Sequence, residues 1–252
     1  MKEIAIVTGG GTGIGKALAI ELAEKHNMDV LIVGRRPEPL KETAGLKADK
    51  ITYCQADVGT ELGRINVVDR INANLRVKLL VHNAALLKPV TSITNIKPDE
   101  WRNHMAINVE APLFLSQALL DKMNNSRILH ISSGAAHRAV AGWAAYCTSK
   151  AALFMLYQVM NAELNKRNIF IGSVRPGVVD TPMQTQLRAS DPDVFPDLPL
   201  FNQYKKEGKL IPAESVAKFL AYILLDTDNQ VFAGKEWDIY HDYAELADKF
   251  KR

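Results

Sequence analysis

Tyr146 and Lys150 stand four residues apart in an Ala-rich stretch that runs from Trp143 to Ala152. On a helix this spacing puts both side chains on one face. A phenol ionises near pH 10 and is a poor acid–base group at neutral pH. An ammonium beside it stabilises the phenolate and draws that pKa toward the working range. Ser133, thirteen residues upstream of Tyr146, ends the apolar run that begins at Arg127, from where its hydroxyl can return to the same point. A chain with seven Tyr and thirty-one Lys and Arg is expected to hold about one Tyr-x-x-x-basic match by chance. The pair therefore carries chemistry only if the rest of the chain builds a cofactor site in the right order.

The first elements do so. Glu3 to Thr8 is a short β-branched run that predicts a buried strand. It leads into Gly9-Gly10-Gly11-Thr12-Gly13-Ile14-Gly15 and then into a helical pattern that ends near His26. Strand, glycine-rich turn and helix together make a phosphate site: amide groups at the helix start face the anion, and missing Cβ atoms let it approach. Two such sites compete. Gly10-x-x-x-x-Gly15-Lys16 matches most of a P-loop, but Ala17 stands where a magnesium-holding Ser or Thr belongs. The glycines also read as a dinucleotide turn, Thr8-Gly9-x-x-x-Gly13-x-Gly15, although the strict G-x-G-x-x-G is absent. The second strand, Asp29 to Val33, ends in Gly34-Arg35-Arg36. A carboxylate at this point suits the ribose of NAD, and a cation suits the 2′-phosphate of NADP. Two guanidinium groups favour NADP(H), unless they merely solvate the helix start before Pro37.

Strands and helices go on alternating. Further strands are predicted at 51–55, 79–82, 127–133, 169–174 and 236–240, with helices at 61–75, 98–123, 143–165 and 212–225. Asn108 and Pro112 interrupt the second of these helices, so a bend is expected there. The run from Asp180 to Gly208 is rich in Pro, Asp and Gln with weak periodicity, and a long loop of this kind is expected to form a lid over a site. The alternation predicts an α/β fold: one Rossmann-type, doubly wound parallel sheet in a single domain over residues 1–252, with the lid at about 180–209. Composition is that of a core-forming chain, with 47% hydrophobic residues, 23% charged residues and a net charge of +3. Nothing in it points to nucleic acid or an anionic membrane as partner. Cys54 and Cys147 fit a reducing compartment and have no zinc-type spacing, so no metal is expected. No stretch reaches about 18 uninterrupted apolar residues, the length of a membrane span. A soluble cytoplasmic protein is the expectation.

The chain resembles the short-chain dehydrogenase/reductases over nearly its whole length. The matching motifs are Thr8 to Gly15, Asp57-Val58, Asn83-Ala84-Ala85, Asn108, Ser133, Tyr146-x-x-x-Lys150 and Pro176-Gly177-Val178-Val179-Asp180-Thr181. The resemblance implies a sheet of about seven strands and hydride transfer between a nicotinamide cofactor and a carbonyl or alcohol. It implies Tyr146 as general acid, Lys150 as the group that lowers its pKa and holds the nicotinamide ribose, and Ser133 as a hydrogen-bond partner of the substrate oxygen. Asn108 would hold a water of the proton relay. Gly9, Gly11, Thr12, Gly13, Ile14 and Gly15 would form the phosphate turn, Asp57 and Val58 would meet the adenine, and Asn83 and Ala84 would pass close to the cofactor. Pro176, Gly177, Val179 and Thr181 would border the nicotinamide carboxamide. The family's Asn-Asn-Ala-Gly stands here as His82-Asn83-Ala84-Ala85, so Ala85 would crowd the cofactor if its site needs a positive φ. His82 is read as a packed residue.

Within the family, Gly142-Trp143-x-x-Tyr146-Cys147 and Thr181-Pro182-Met183-Gln184 are similar to the sepiapterin reductase and benzil reductase branch. That similarity implies Trp143, Met183 and Asp238 as substrate neighbours, with Asp238 either anchoring a pterin or capping the turn after its strand. The expected activity is NADPH-dependent reduction of a small-molecule ketone, diketone or pterin-like side-chain carbonyl. The alternative is a sensor that binds NADP(H) and does no chemistry. The helices bearing Phe114 and Phe154 are apolar over much of their surface, and in this family they commonly meet in a homodimer or homotetramer.

Overall fold

The structure, a computed structural model, describes residues 1–246. Strands are β1 (Lys2–Thr8), β2 (Asp29–Gly34), β3 (Ile51–Gln55), β4 (Leu75–His82), β5 (Ser126–Ile131), β6 (Ile169–Arg175) and β7 (Glu236–Asp238). They form one parallel sheet in the order β3-β2-β1-β4-β5-β6-β7. β5 is buried at every position, as expected of a strand covered on both faces. The chain winds outward from β1 in one direction and from β4 in the other. The crevice beyond the carboxyl ends of β1 and β4 is therefore the switch point at which such sheets bind ligands.

One face of the sheet is covered by α1 (Gly13–Lys25), α2 (Pro37–Gly45), α9 (Ala213–Leu225) and α10 (Asn229–Ala233). Leu18, Leu22, Leu40, Phe219, Leu220 and Phe232 form its core. The other face carries α3 (Glu61–Val68), α5 (Ala111–Leu119) and α6 (Ala144–Leu164), with Val67, Leu115 and Tyr157 inside. A third cluster joins Trp143 and Tyr146 to α7 (Pro182–Arg188) and α8 (Leu198–Lys206).

The elements depart from the sequence reading in several places, among them β4, which begins at Leu75 and not at 79, and β5, which stops at Ile131 and not at 133. The helix predicted at 61–75 ends at Val68. The helix predicted at 98–123 is α4 (Pro98–Met105), a π-helical turn (Ala106–Glu110) and α5, with the Ala111 N–H bonded to the Ala106 carbonyl. Pro112 brings no N–H to the carbonyl four residues back, that of Asn108, and the wider turn falls where that rung is missing. The segment at 180–209 holds α7 and α8 instead of an irregular loop. Its two ends are tied together, Ile211 N to Val178 O and Asp180 N to Ile211 O, each at 2.9 Å. The last strand stops at Asp238, and α11 (Ile239–Leu246) follows.

Arg127 in β5 closes the far end of the sheet. It is 8% exposed and donates to the carbonyls of Ile223, Leu224 and Thr227 at 2.6–3.1 Å and to Asn229 Oδ1 at 2.8 Å. A guanidinium there satisfies the open carbonyls at the end of α9 and suits its dipole. Arg127→Met should cost about 2–4 kcal/mol in denaturant unfolding and leave cofactor binding unchanged. A loss below about 0.5 kcal/mol would show that these carbonyls need no protein donor.

Candidate active site

The glycine turn is held by the strand ends. Thr8 Oγ1 accepts from the backbone N–H groups of Asn83 and Ala84 at 3.0 Å, and Asn83 Nδ2 donates to the Thr8 carbonyl at 2.9 Å. Gly9 and Gly13 have φ of +69° and +56°, which side chains resist. A Cβ on Gly15 would lie 2.5 Å from both Asn83 Nδ2 and the Gly9 carbonyl oxygen. The start of α1 has neither a side-chain cap nor an acidic residue in its first turn. Its open N–H groups suit an anion, so the cradle fits the pyrophosphate of a dinucleotide. Lys16 does not border the cavity below, which together with Ala17 counts against the P-loop reading.

A cavity of about 730 Å³ runs along the carboxyl ends of the strands. Its nucleotide end is bordered by Arg35, Arg36, Asp57 and Val58, its middle by Gly9, Gly11, Thr12, Gly13, Ile14, Asn83 and Ala84. Ser133, Tyr146 and Lys150 face it beside Pro176, Gly177, Val179 and Thr181, and Trp143, Met183 and Asp238 close the far end. Two predicted site residues do not border it. Gly15 acts from behind, by giving room to Gly9 and Asn83. Asn108 lies deeper, its amide clamped on Leu86: Oδ1 accepts from the Leu86 N–H at 2.8 Å and Nδ2 donates to its carbonyl at 3.0 Å. The Asn108 side chain is thus committed to protein groups. Ala85 has no positive φ, so the expected crowding does not arise. His82 is buried, with Nε2 2.8 Å from Ser116 Oγ, as the sequence reading had it.

Tyr146 is 7% and Lys150 3% exposed. The expected lowering of the phenol is not found here. Burial pushes Tyr146 up to about 12, against the opposing hydrogen bond from Ser133. Burial also brings Lys150 down to about 8. The Lys150 ammonium donates to the Ile131 carbonyl at 2.7 Å and lies 5.6 Å from the centre of the Tyr146 ring. Ser133 Oγ accepts from the Ala135 N–H at 3.1 Å, which orients it at the end of β5.

The far end is aromatic. Trp143 stacks on Phe195 at 5.0 Å and meets Tyr146 edge-on at 5.3 Å. Asp238 takes the capping one of the two roles considered for it and borders the cavity. One oxygen caps the turn by accepting from the Tyr240 N–H at 3.0 Å; the other pairs with Arg175 at 2.9 Å, and both residues border the cavity. The sequence reading missed Arg175, whose partner lies 63 residues away in the chain, and Leu86 to Lys88, which carry no motif.

The chain is similar to known proteins. Residues 3–192 match the family described as short chain dehydrogenase. The chain is 30% identical to a benzil reductase ((S)-benzoin forming) of Bacillus cereus, over 87% of this chain and 92% of that protein. It is 31% identical to the sepiapterin reductase of Mus musculus, over 89% and 92%. Among solved structures, a short chain dehydrogenase from Burkholderia cenocepacia in complex with NADP superposes with a TM-score of 0.78 at 27% identity, covering 93% of this chain and 94% of that one. The chain belongs to the short chain dehydrogenase family and has the fold of an oxidoreductase that takes a nicotinamide cofactor.

Lys150 yields a pH prediction. With a folded pKa near 8 against an ordinary 10.5, the unfolded chain binds more protons in that window, so this group makes stability rise with pH across it. The stability of the native protein relative to Lys150→Met should therefore increase between pH 8 and 10, by at most about 1.4 kcal/mol per pH unit. Parallel urea-unfolding curves over that range would contradict the burial of a charge at this position.

Proposed function

We propose that the protein reduces a ring-bearing ketone, vicinal diketone or pterin-like side-chain carbonyl to an alcohol with NADPH. The observation that carries this reading is the buried Tyr146 phenol, held protonated by its surroundings between Ser133 and Lys150 at the cavity wall. A phenol that keeps its proton at neutral pH is poised to donate one, which is the direction reduction requires. The Ser133 and Tyr146 hydroxyls hold the substrate oxygen, and Tyr146 gives its proton to the developing alkoxide. Lys150 then stabilises the phenolate and lies on the path by which the proton is restored. Since the Asn108 amide is already committed, its backbone carbonyl, to which Pro112 offers no N–H, is the group assigned to hold a relay water. When bound, the cofactor supplies the hydride.

Arg35 and Arg36 support NADP(H) over NAD(H). β2 ends in Gly34 with no carboxylate, and Arg35 also reaches Asp57 at 3.9 Å, so one guanidinium links the adenine and phosphate ends of the site. Trp143, Met183 and the Arg175–Asp238 pair border the substrate, a wall suited to a flat ring with a polar edge. Among the described residues no helix is long and apolar enough to cross a membrane; with two free cysteines this supports a cytoplasmic place. Phe114, Met155 and Val159, on α5 and α6, are 40%, 55% and 47% exposed, which supports a homodimer or homotetramer built on these helices. A monomer by light scattering would refute that assembly.

The test is NADPH consumption with benzil and with sepiapterin. Tyr146→Phe should lower kcat at least about 100-fold while NADPH binding persists, and turnover kept by that variant would overturn the assignment. Replacing Arg35 and Arg36 together by Ala should reduce the preference for NADPH over NADH about 10- to 100-fold.

A further inference from the structure

A buried polar group beside the catalytic pair takes no part in the steps above. His104, on α4, is fully buried, and its ring meets that of Tyr146 edge-on at 6.3 Å. Its Nδ1 lies 2.8 Å from the Lys88 carbonyl oxygen. That oxygen can only accept, so Nδ1 carries the ring proton. In the neutral ring Nε2 is then an acceptor, and it lies 2.8 Å from Asn108 Nδ2 and 3.0 Å from Ser149 Oγ. Asn108 has two amide hydrogens; one goes to the Leu86 carbonyl and the other is directed at Nε2. The opposite tautomer would set two N–H groups against each other. Ser149, next to Lys150 in the chain, gives its single hydroxyl hydrogen to the Tyr146 carbonyl at 2.9 Å, and its oxygen, 3.1 Å from Asn108 Nδ2, shares the second Asn108 hydrogen with Nε2. The imidazole, with the Asn108 hydrogen that it shares with Ser149, thus joins three parts of the site: the loop after β4 at Lys88, the π-helical turn at Asn108, and the catalytic helix α6 at Ser149.

We propose that His104 is a positioning residue for the reduction. Its Nδ1–H tautomer fixes the Asn108 amide and, through Ser149, sets the spacing between the π-helical turn and the Tyr146–Lys150 pair. The groups that face the ring favour the neutral form. Burial lowers its pKa and the Lys150 charge acts in the same sense, while the bond to the Lys88 carbonyl opposes them. The kinetic part of the proposal rests on the reductase reading, and the structural part stands without it.

The test has two arms. In histidine-¹⁵N-labelled protein, long-range proton–nitrogen NMR reads the tautomer of each imidazole, and His104 is assigned by the signals that vanish in His104→Gln. The expected result is a protonated Nδ1 and an unprotonated Nε2, both unchanged from about pH 7 to about pH 5.5. A proton on Nε2, or a charged ring in that range, overturns the proposal whether or not any carbonyl is reduced. In the kinetic arm, His104→Phe removes the acceptor and should lower kcat at least about tenfold with KM for NADPH nearly unchanged, and His104→Gln, which brings a carbonyl oxygen toward the Nε2 position, should recover most of that loss. Equal kcat in the native protein and His104→Phe, or equal losses in both variants, overturns it. If no carbonyl is turned over at all, the reductase reading fails and the tautomer alone decides the proposal.

Discussion

The site depends on an ammonium kept out of water. Lys150 is buried under the end of β5, its Nζ bonded to the Ile131 carbonyl, with no carboxylate in ion-pair range among the described residues. A buried cation without a counter-charge is costly, and here the cost appears as a pKa brought down to about 8. The same apolar surroundings hold the neighbouring phenol in its protonated form. The cation and the acid are therefore tuned together by one feature, the dry wall formed by α6 against the end of the sheet.

Everything else serves to hold that wall in place beside a dinucleotide cradle. The carboxyl ends of β1 and β4 are stitched through Thr8 and Asn83, which fixes the glycine turn at the switch point of the sheet. The ends of β5 and β6 bring Ser133 and the Pro176–Thr181 segment to the same level, Ser132 N bonding to the Val174 carbonyl at 2.8 Å. Above them, Phe195, between α7 and α8, stacks on Trp143, and Phe201 of α8 packs beside it. The substrate end of the cavity is in this way bordered by apolar packing on one side and by the Arg175–Asp238 pair on the other.

Much of this was legible in the sequence because the relevant signals are local. The β-branched run at Ile51–Gln55 has the bounds the pattern predicted. The Tyr146–Lys150 spacing did place both side chains in the cavity, and nearly all the motif residues border it. What was not legible depends on contacts far apart in the chain. Residues 180–209 have weak helical periodicity, and α7 and α8 form where packing on Trp143, Phe195 and Phe201 supplies what propensity does not. Pro112 marked a break, but a break alone does not specify a π-helical turn. The upward shift of Tyr146 had the opposite sign from the expectation, because a four-residue spacing gives proximity and not the depth of burial. His104 carries no motif, and its partners, Lys88 and Ser149, lie 16 and 45 residues away.

The most direct test of a buried, partly uncharged Lys150 beside a protonated Tyr146 is the pH dependence of kcat/KM for NADPH, measured with whichever carbonyl the enzyme reduces. That quantity reports the groups of the free enzyme. A plateau through neutral pH followed by a fall centred near the lowered Lys150 value of about 8 is the expected result. A profile that stays level up to the ordinary lysine value of 10.5 would contradict it, because the ammonium would then be solvated and the phenol beside it tuned by something else.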